Sequence, residues 1–392
     1  MSRYRTLDNY EFSGKRVLLR ADFNIPVVEG SFTDTARIEK TIPTLNEILA
    51  KGGSIVLISH LGRPNGQIDP KYSLEPLVQV LRSFLPNAKI RFSPDAKDVP
   101  RPGEIVLLEN LRFNPGEEEN SRDFIQFLGN LGDIFINDAF SCSHRSHASI
   151  DGVAHLMPSA AGRLMQRELE ALDRALDQPA RPVAAIVGGN KISTKLGVLE
   201  NLLDKVDHLI VGGAMANTFL FANGITVGSS ICEMDMADIA RNIIDKAVCN
   251  DCMIHLPFDA VVASELVEGA KTNILNINEI PKGKMILDIG PRTAENIEVL
   301  IGKCKTLVWN GPLGAFEFKP FDSGTNSAAV AAAELVESGK LIVVAGGGDT
   351  MSALANAGVV DKLSYVSSAG GAFLEWLEGG ELPGIEAIKS SK

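Results

Sequence analysis

Apolar positions along this chain fall into short continuous runs, and longer stretches with a 3.6-residue period separate them. "RVLLRADF" (16–23), "SIVLISHL" (54–61), "EIVLLENLRF" (104–113) and "DIFINDAF" (133–140) read as strands. "TARIEKTIPTLNEILAKGG" (35–53), "SLEPLVQVLRSFL" (73–85) and the stretch near "RDFIQFLGNL" read as helices. Strands apolar at every position, with helices between them, predict a parallel sheet covered on both faces.

The pattern changes at "PSAAGRLMQRELEALDRALDQPARP" (158–182), which is charged, helical in period and stopped by Pro179 and Pro182. It predicts a helix linking two domains. Alternation then resumes with strands in "VAAIVGG" (183–189), "HLIVGG" (208–213), "MIHLPFDAVVA" (253–263), "MILDIG" (285–290), "TLVWNG" (306–311) and "LIVVAGGG" (341–348). The expected fold is α/β: two doubly wound, Rossmann-like parallel-sheet lobes joined by a linking helix, with a cleft between them. Ligands are expected at the C-terminal ends of the strands. The expected boundaries are 1–157 for the first domain, 158–178 for the linking helix and 179–377 for the second domain.

A chain of 392 residues is too long for one ordinary core, which agrees with two domains. A net charge of −11 argues against a nucleic-acid surface, and no apolar run is long enough to span a bilayer. The polar N-terminus has no export signal, so a cytoplasmic protein is expected. The odd, scattered set Cys142, Cys232, Cys249, Cys252 and Cys304 suggests reduced thiols, and the Cys249–Cys252 pair lacks a second ligand pair for zinc.

Candidate chemistry sits where the strands stop. The first lobe places Asp22, Asn24, Arg37, His60, Arg63, Arg112 and Arg145 at or just after strand ends. Several planar guanidinium forks together suit a small, highly anionic substrate. In the second lobe, "GGNKISTK" places Lys191 and Lys195 four residues apart, a spacing that would set both on one face of a helix start. "GGGDT" puts Gly346, Gly347 and Gly348 where a strand ends, so that backbone can approach a phosphate closely. Asp349 behind them would be repelled by phosphate unless a cation lay between, which makes it a candidate Mg²⁺ ligand. Neither GxxxxGK[ST] nor GxGxxG occurs.

Together "RADFNIP", "SHLGRP", "LLENLRF", "NDAF…HRSHAS", "GGNKISTK", "VGGAMANTF", "LDIGP", "VWNGPLGAFE" and "GGGDT" resemble, in order and over nearly the whole chain, the motifs of phosphoglycerate kinases. The resemblance implies reversible phosphoryl transfer from 1,3-bisphosphoglycerate to ADP, giving 3-phosphoglycerate and ATP, in glycolysis and gluconeogenesis, with Mg²⁺ accompanying the nucleotide. It implies that Asp22, Phe23, Asn24, Arg37, His60, Leu61, Gly62, Arg63, Arg112 and Arg145 hold phosphoglycerate. Lys191, Lys195, Gly212, Gly213, Asn310, Pro312, Glu317, Gly346, Gly347, Gly348, Asp349 and Thr350 would hold the nucleotide. Arg37 and Lys195 would neutralise charge on the moving group, as would donors at the helix start Ser368, Ala369, Gly370 and Gly371. The C-terminal segment, about 378–392, is implied to pack on the first domain. A monomer, in-line transfer after hinge closure, and no nucleic-acid or membrane partner complete the expectation.

Two positions depart from the family pattern. Ser141-Cys142-Ser143 replaces a small "GTA", and Ala369 stands in a glycine-rich "STGGGA". Two rival readings are a nicotinamide-dependent oxidoreductase and a non-enzymatic nucleotide-binding module. The missing GxGxxG and the double-lysine segment oppose the first, and the arginine cluster opposes the second.

Overall fold

Runs of consecutive apolar residues settle as strands only where both faces of a sheet are covered, and this chain builds two such sheets. The structure is a computed structural model that describes residues 3–25, 27–28, 31–32, 35–367 and 369–389. Its contacts divide the chain into two units, Met1–Leu169 with Glu381–Lys392, and Glu170–Gly380.

In the first unit, parallel strands lie in the order Lys89–Ser93, Glu104–Leu108, Ser54–Ile58, Arg16–Arg20, Ile134–Asn137, Ser159–Ala161. Register sets Val17 beside Ile55 on one side and Ile134 on the other. Successive side chains leave opposite faces. Val17, Leu19, Ile55, Leu57, Ile105 and Leu107 therefore enter one core, while Leu18, Val56, Val106 and Phe135 enter another. Helix Ala36–Ala50 covers the first with Ile38, Leu45 and Ile48, and helix Arg122–Gly129 covers the second with Phe124 and Leu128. Each such side chain contributes roughly 1.5–3 kcal/mol, so a one-residue slip of any strand is strongly disfavoured. The C-terminal segment adds Ala387 to the second core, and Gly384 N–H donates to Ser143 O at 2.9 Å.

The second unit has parallel strands in the order Met253–His255, His208–Val211, Val183–Val187, Thr306–Asn310, Ile342–Gly346, Tyr365–Ser367. It also carries a three-stranded antiparallel sheet, Asn273–Asn276, Asp259–Ala263, Met285–Ile289.

Several elements differ from the sequence expectation. The run 253–263 is not one strand: it breaks around Pro257, which has no N–H for a ladder, and its halves join different sheets. The run 285–290 belongs to the antiparallel sheet, not the parallel one. The stretch 158–178 is not helical throughout. Ser159–Ala161 pairs with Phe135–Asn137 as a strand, the helix proper is Arg163–Leu172, and Asp173–Asp177 forms a wider π-helical turn. Edge strands Lys89–Ser93 and Tyr365–Ser367 gave no signal, because edges tolerate polar residues. No helix among the described residues is long and apolar enough to cross a membrane.

Candidate active site

The first unit gathers its polar groups at the C-terminal strand ends. Asp22 follows strand Arg16–Arg20, and its carboxylate accepts hydrogen bonds from Arg37 and from the Ser141 hydroxyl. Asp22 Oδ1 also accepts the Asn24 N–H at 3.0 Å. Asn24 Oδ1 takes the Gly62 N–H at 2.9 Å, and Gly62 O takes Arg112 Nη1 at 2.7 Å. Residues from four strand ends are thus tied into one surface. Arg112 is only 3% exposed and lies 3.1 Å from Glu118. Arg37 and Arg145 are partly exposed, and Arg63 is exposed. Phe23 and Leu61 are core residues, so only their backbone is available at this surface.

This edge crowds guanidinium groups together, with Arg20 and Arg112 buried and Arg37 and Arg145 partly exposed. Burial, then the guanidinium groups of Arg20, Arg112 and Arg145, hold His60 well below the ordinary histidine pKa. Burial, Arg112 and Arg145 bring His147 down to about 4. Burial lowers Arg112 as well, with Arg145 and Arg20 adding to it against Glu118. Cations crowded until they disfavour one another's charge make a surface poised to receive an anion.

The second unit builds a different edge. Lys195 Nζ donates to Gly188 O at 2.7 Å, Asn310 O at 3.1 Å and Asn310 Oδ1 at 2.6 Å. Burial brings its pKa down to about 8, with Asp349 opposing. Asn310 Nδ2 reaches Gly346 O at 2.8 Å, and Gly311 N–H donates to Thr350 Oγ1 at 2.7 Å. A Cβ on Gly188 would stand 1.8 Å from Pro312 O, so only glycine lets these strand ends pass. Gly347 has φ +105° and opens helix Gly348–Asn356, while a Cβ on Gly348 would meet nothing within 4 Å. The backbone there is open to an incoming group, with exposed Asp349 beside it. A cavity of about 420 Å³ adjoins this edge. Gly189, Gly213, Pro312, Glu317 and Asp349 line it together with apolar Ile231, Leu287 and Phe318. Gly212 precedes helix Gly213–Ala222.

The expected lysine pair does not form on a helix. The helix begins at Leu196, so Lys195 lies at its cap and Lys191 in the preceding turn, where it is exposed. Thr194 Oγ1 donates to Lys191 O at 2.9 Å, which closes that turn instead. Ser368 lies outside the described residues. Ala369 has φ −105° just before helix Gly370–Leu377, so its methyl group needs no left-handed backbone, and Gly370 and Gly371 form that helix start. Sequence reasoning passed over Arg20, Glu117 and Ser149, all buried behind His60. The available signal was an arginine inside the otherwise apolar "RVLLR".

A cationic strand-end edge on one doubly wound unit, and on the other a glycine-lined cavity beside a strand end that holds a partly buried lysine, define an α/β protein of the phosphotransferase class. A family model described as phosphoglycerate kinase matches residues 7–380. The phosphoglycerate kinase of Dinoroseobacter shibae is 52% identical over 392 residues, covering 99% of this chain and 100% of the relative. That of Cereibacter sphaeroides (strain ATCC 17025) is 51% identical over 393 residues, covering 98% and 99%. Among solved structures, the phosphoglycerate kinase of Coxiella burnetii superposes with a TM-score of 0.94 at 41% identity, covering 98% of each chain. The Pyrococcus horikoshii enzyme gives 0.78 at 29% identity, covering 98% of each chain. The chain belongs to the phosphoglycerate kinase family.

Proposed function

We propose that this chain transfers a phosphoryl group between 1,3-bisphosphoglycerate and ADP, with the acyl-phosphate substrate held by the first unit and the nucleotide by the second. The observation that carries the division of labour is the crowding of the Arg20, Arg112 and Arg145 guanidinium groups around a neutral His60. A small polyanion relieves their mutual repulsion. Asp22, Asn24, Arg37, His60, Arg63, Arg112 and Arg145 take its carboxylate, hydroxyl and phosphate oxygens. The backbone of Phe23, Leu61 and Gly62 shapes the floor.

In the second unit the apolar cavity takes the base, Glu317 the ribose hydroxyls, and the backbone at Gly212, Gly213 and Gly346–Gly348 the phosphates. Asn310, Pro312 and Thr350 hold the facing strand end in place. Exposed Lys191 supplies long-range attraction. Asp349, a single carboxylate beside a phosphate-ready turn, fits Mg²⁺, which is commonly held by one or two carboxylates and the substrate phosphates. When bound, the ion would neutralise nucleotide phosphate charge. No side chain needs to act as a strong base, because the accepting carboxylate is already a nucleophile. Catalysis is positioning and charge neutralisation, for which Arg37, Lys195 and the N–H groups of the Ala369–Gly371 helix start are equipped.

In-line transfer needs reacting atoms about 3–3.5 Å apart, so ligands on separate units must be brought together by closure. A cytoplasmic monomer suits this reading. A coupled assay with 3-phosphoglycerate and ATP tests the activity. Separate titrations test the division of labour: Arg112→Ala should weaken 3-phosphoglycerate binding and leave ADP binding unchanged. Equal loss of both ligands would refute it. The radius of gyration should fall more with both ligands together than with either alone.

A further inference from the structure

Behind His60 lies a hydrogen-bonded chain whose direction is fixed by the chemistry of its members. Arg20 is 1% exposed, and its Nη2 lies 2.9 Å from His60 Nδ1. A guanidinium has only donors, so Nδ1 must accept, and the neutral ring carries its proton on Nε2. Arg20 Nε donates to Ser149 Oγ at 2.9 Å. Ser149 Oγ spends its single proton on Glu117 Oε1 at 2.6 Å, and its N–H meets Glu117 Oε2 at 3.0 Å. Donation therefore diverges from Arg20, through Ser149 to Glu117 on one side and to His60 on the other. Glu117 is fully buried, and burial raises its pKa against Arg20 and the two Ser149 donors, which favour the ionised, accepting form. The main-chain O of Ala21 takes a further Arg20 proton.

We infer that Arg20 is a positioning residue: anchored by Ser149 and Glu117, it locks His60 as the Nε2–H tautomer, so that His60 offers a neutral donor to an acceptor oxygen of phosphoglycerate. This rests on the reading of His60 as a substrate-binding group. A neutral fixed donor complements the arginines, because it selects an oxygen by direction while they attract by charge. The charged and titratable groups acting on the ring are Arg20, Arg112, Arg145 and His147, with Asp22 Oδ1 3.9 Å from Nδ1. Burial first, and then the cations, which outweigh the one carboxylate, keep the ring neutral.

The test is long-range ¹⁵N–¹H NMR on the full ligand-free chain with labelled histidine. His60 should show an unprotonated Nδ1 and a protonated Nε2, unchanged from pH 8 down to 5.5. A protonated Nδ1, or an ordinary titration near 6.5, overturns the inference. Arg20→Gln should release the tautomer and weaken 3-phosphoglycerate binding about tenfold, the effect of one hydrogen bond to a charged group, with ADP affinity unchanged. If Arg20→Gln does not fold, Ser149→Ala should give the same NMR change in weaker form, and an unaltered spectrum there counts against the anchor. His60→Ala separates the two ideas. Unchanged 3-phosphoglycerate affinity in that variant refutes substrate contact, while the wild-type tautomer still reports on Arg20.

Discussion

Replacing Lys195 by Met tests whether a partly buried ammonium is there for catalysis or for stability. The side chain is held by Gly188 O, Asn310 O and Asn310 Oδ1, which uses all three of its protons. Yet its pKa falls from 10.5 to about 8, chiefly through burial. At 1.36 kcal/mol per unit, that lowering means the charge costs the ligand-free fold about 3 kcal/mol relative to the unfolded chain, hydrogen bonds included. The sign follows from proton counts. Below pH 8 both states are protonated and the cost is full. Between 8 and 10.5 the folded state has lost the proton that the unfolded state keeps, so stability rises with pH.

Met keeps the stem and removes the charge, at the expense of leaving Gly188 O and Asn310 Oδ1 without this donor, about 1–3 kcal/mol each, while Asn310 O keeps the Gly188 N–H. The terms partly offset, so urea denaturation at pH 7 should find Lys195→Met no more than about 3 kcal/mol less stable than the parent chain. Turnover in the coupled assay should fall by about 10²–10³, as when a preorganised donor to a developing anion is removed. Calorimetry at pH 8 supplies an independent reading. About half of the free ammonium groups are deprotonated there, and bound phosphate restores them, so ADP binding should take up about half a proton per site. Lys195→Met should abolish that uptake. Near-normal turnover with a large loss of stability would show that the lysine is structural and refute the reasoning.

Asp349→Ala should narrow the difference in ATP affinity measured with and without Mg²⁺, and leave 3-phosphoglycerate affinity unchanged; an unaltered difference removes the metal assignment. Asp288 is buried in the cavity wall and its pKa is raised to about 8, first by burial, against N–H donors from Gly324 and Ile289. A raised carboxyl contributes stability that is full below the unfolded value near 4 and lost as pH rises toward 8, so stability relative to Asp288→Asn should decline over that interval, and parallel pH profiles would contradict it. Gly188→Ala forces a methyl against Pro312 O and should cost several kcal/mol by chemical denaturation, whereas Gly348→Ala enters open space and should stay within about 0.5 kcal/mol; equal effects would disprove the close-approach argument.

The two parallel sheets were legible because burial on both faces leaves few polar positions in a strand, and "SIVLI" or "VAAIV" can hardly be read otherwise. The antiparallel sheet was not. Asp259–Ala263 and Met285–Ile289 look equally apolar, and what separates them from the main sheet is pairing across long sequence distances, which periodicity does not record. The glycines and arginines at strand ends were visible as residues at the right place. Their partners were not: that Lys195 faces Asn310 rather than standing beside Lys191 on a helix follows from where the turn closes, at Thr194 and Ser193, and not from the spacing of the lysines. Arg20 was hidden for the opposite reason. In an apolar strand a charge looks like an interruption, and only the buried acceptors Glu117, Ser149 and His60 explain how it can stay.

The segment Ser141-Cys142-Ser143 shows how surroundings decide what a cluster can do. Asp22, His60 and Cys142 present ligand atoms within 4.8 Å of one another, an arrangement that by spacing alone suits a metal ion. Chemistry points elsewhere. His60 Nδ1, the nitrogen nearest Asp22, already accepts from Arg20. Burial pushes the Cys142 thiol up to about 11, so the thiolate that a metal requires is scarce near neutral pH. Arg20 Nη2 lies 3.9 Å from the sulfur, and Arg37 is paired to the carboxylate, so a cation would enter against two positive charges. The same groups favour an anion. Ser141 spends its hydroxyl proton on Asp22, the carboxylate that also holds Arg37, and so fixes the negative group that orients that arginine. Cys142 is a small buried side chain beneath that contact, and the departure from the family's pattern adds a hydrogen bond to Asp22 without adding a reactive thiol.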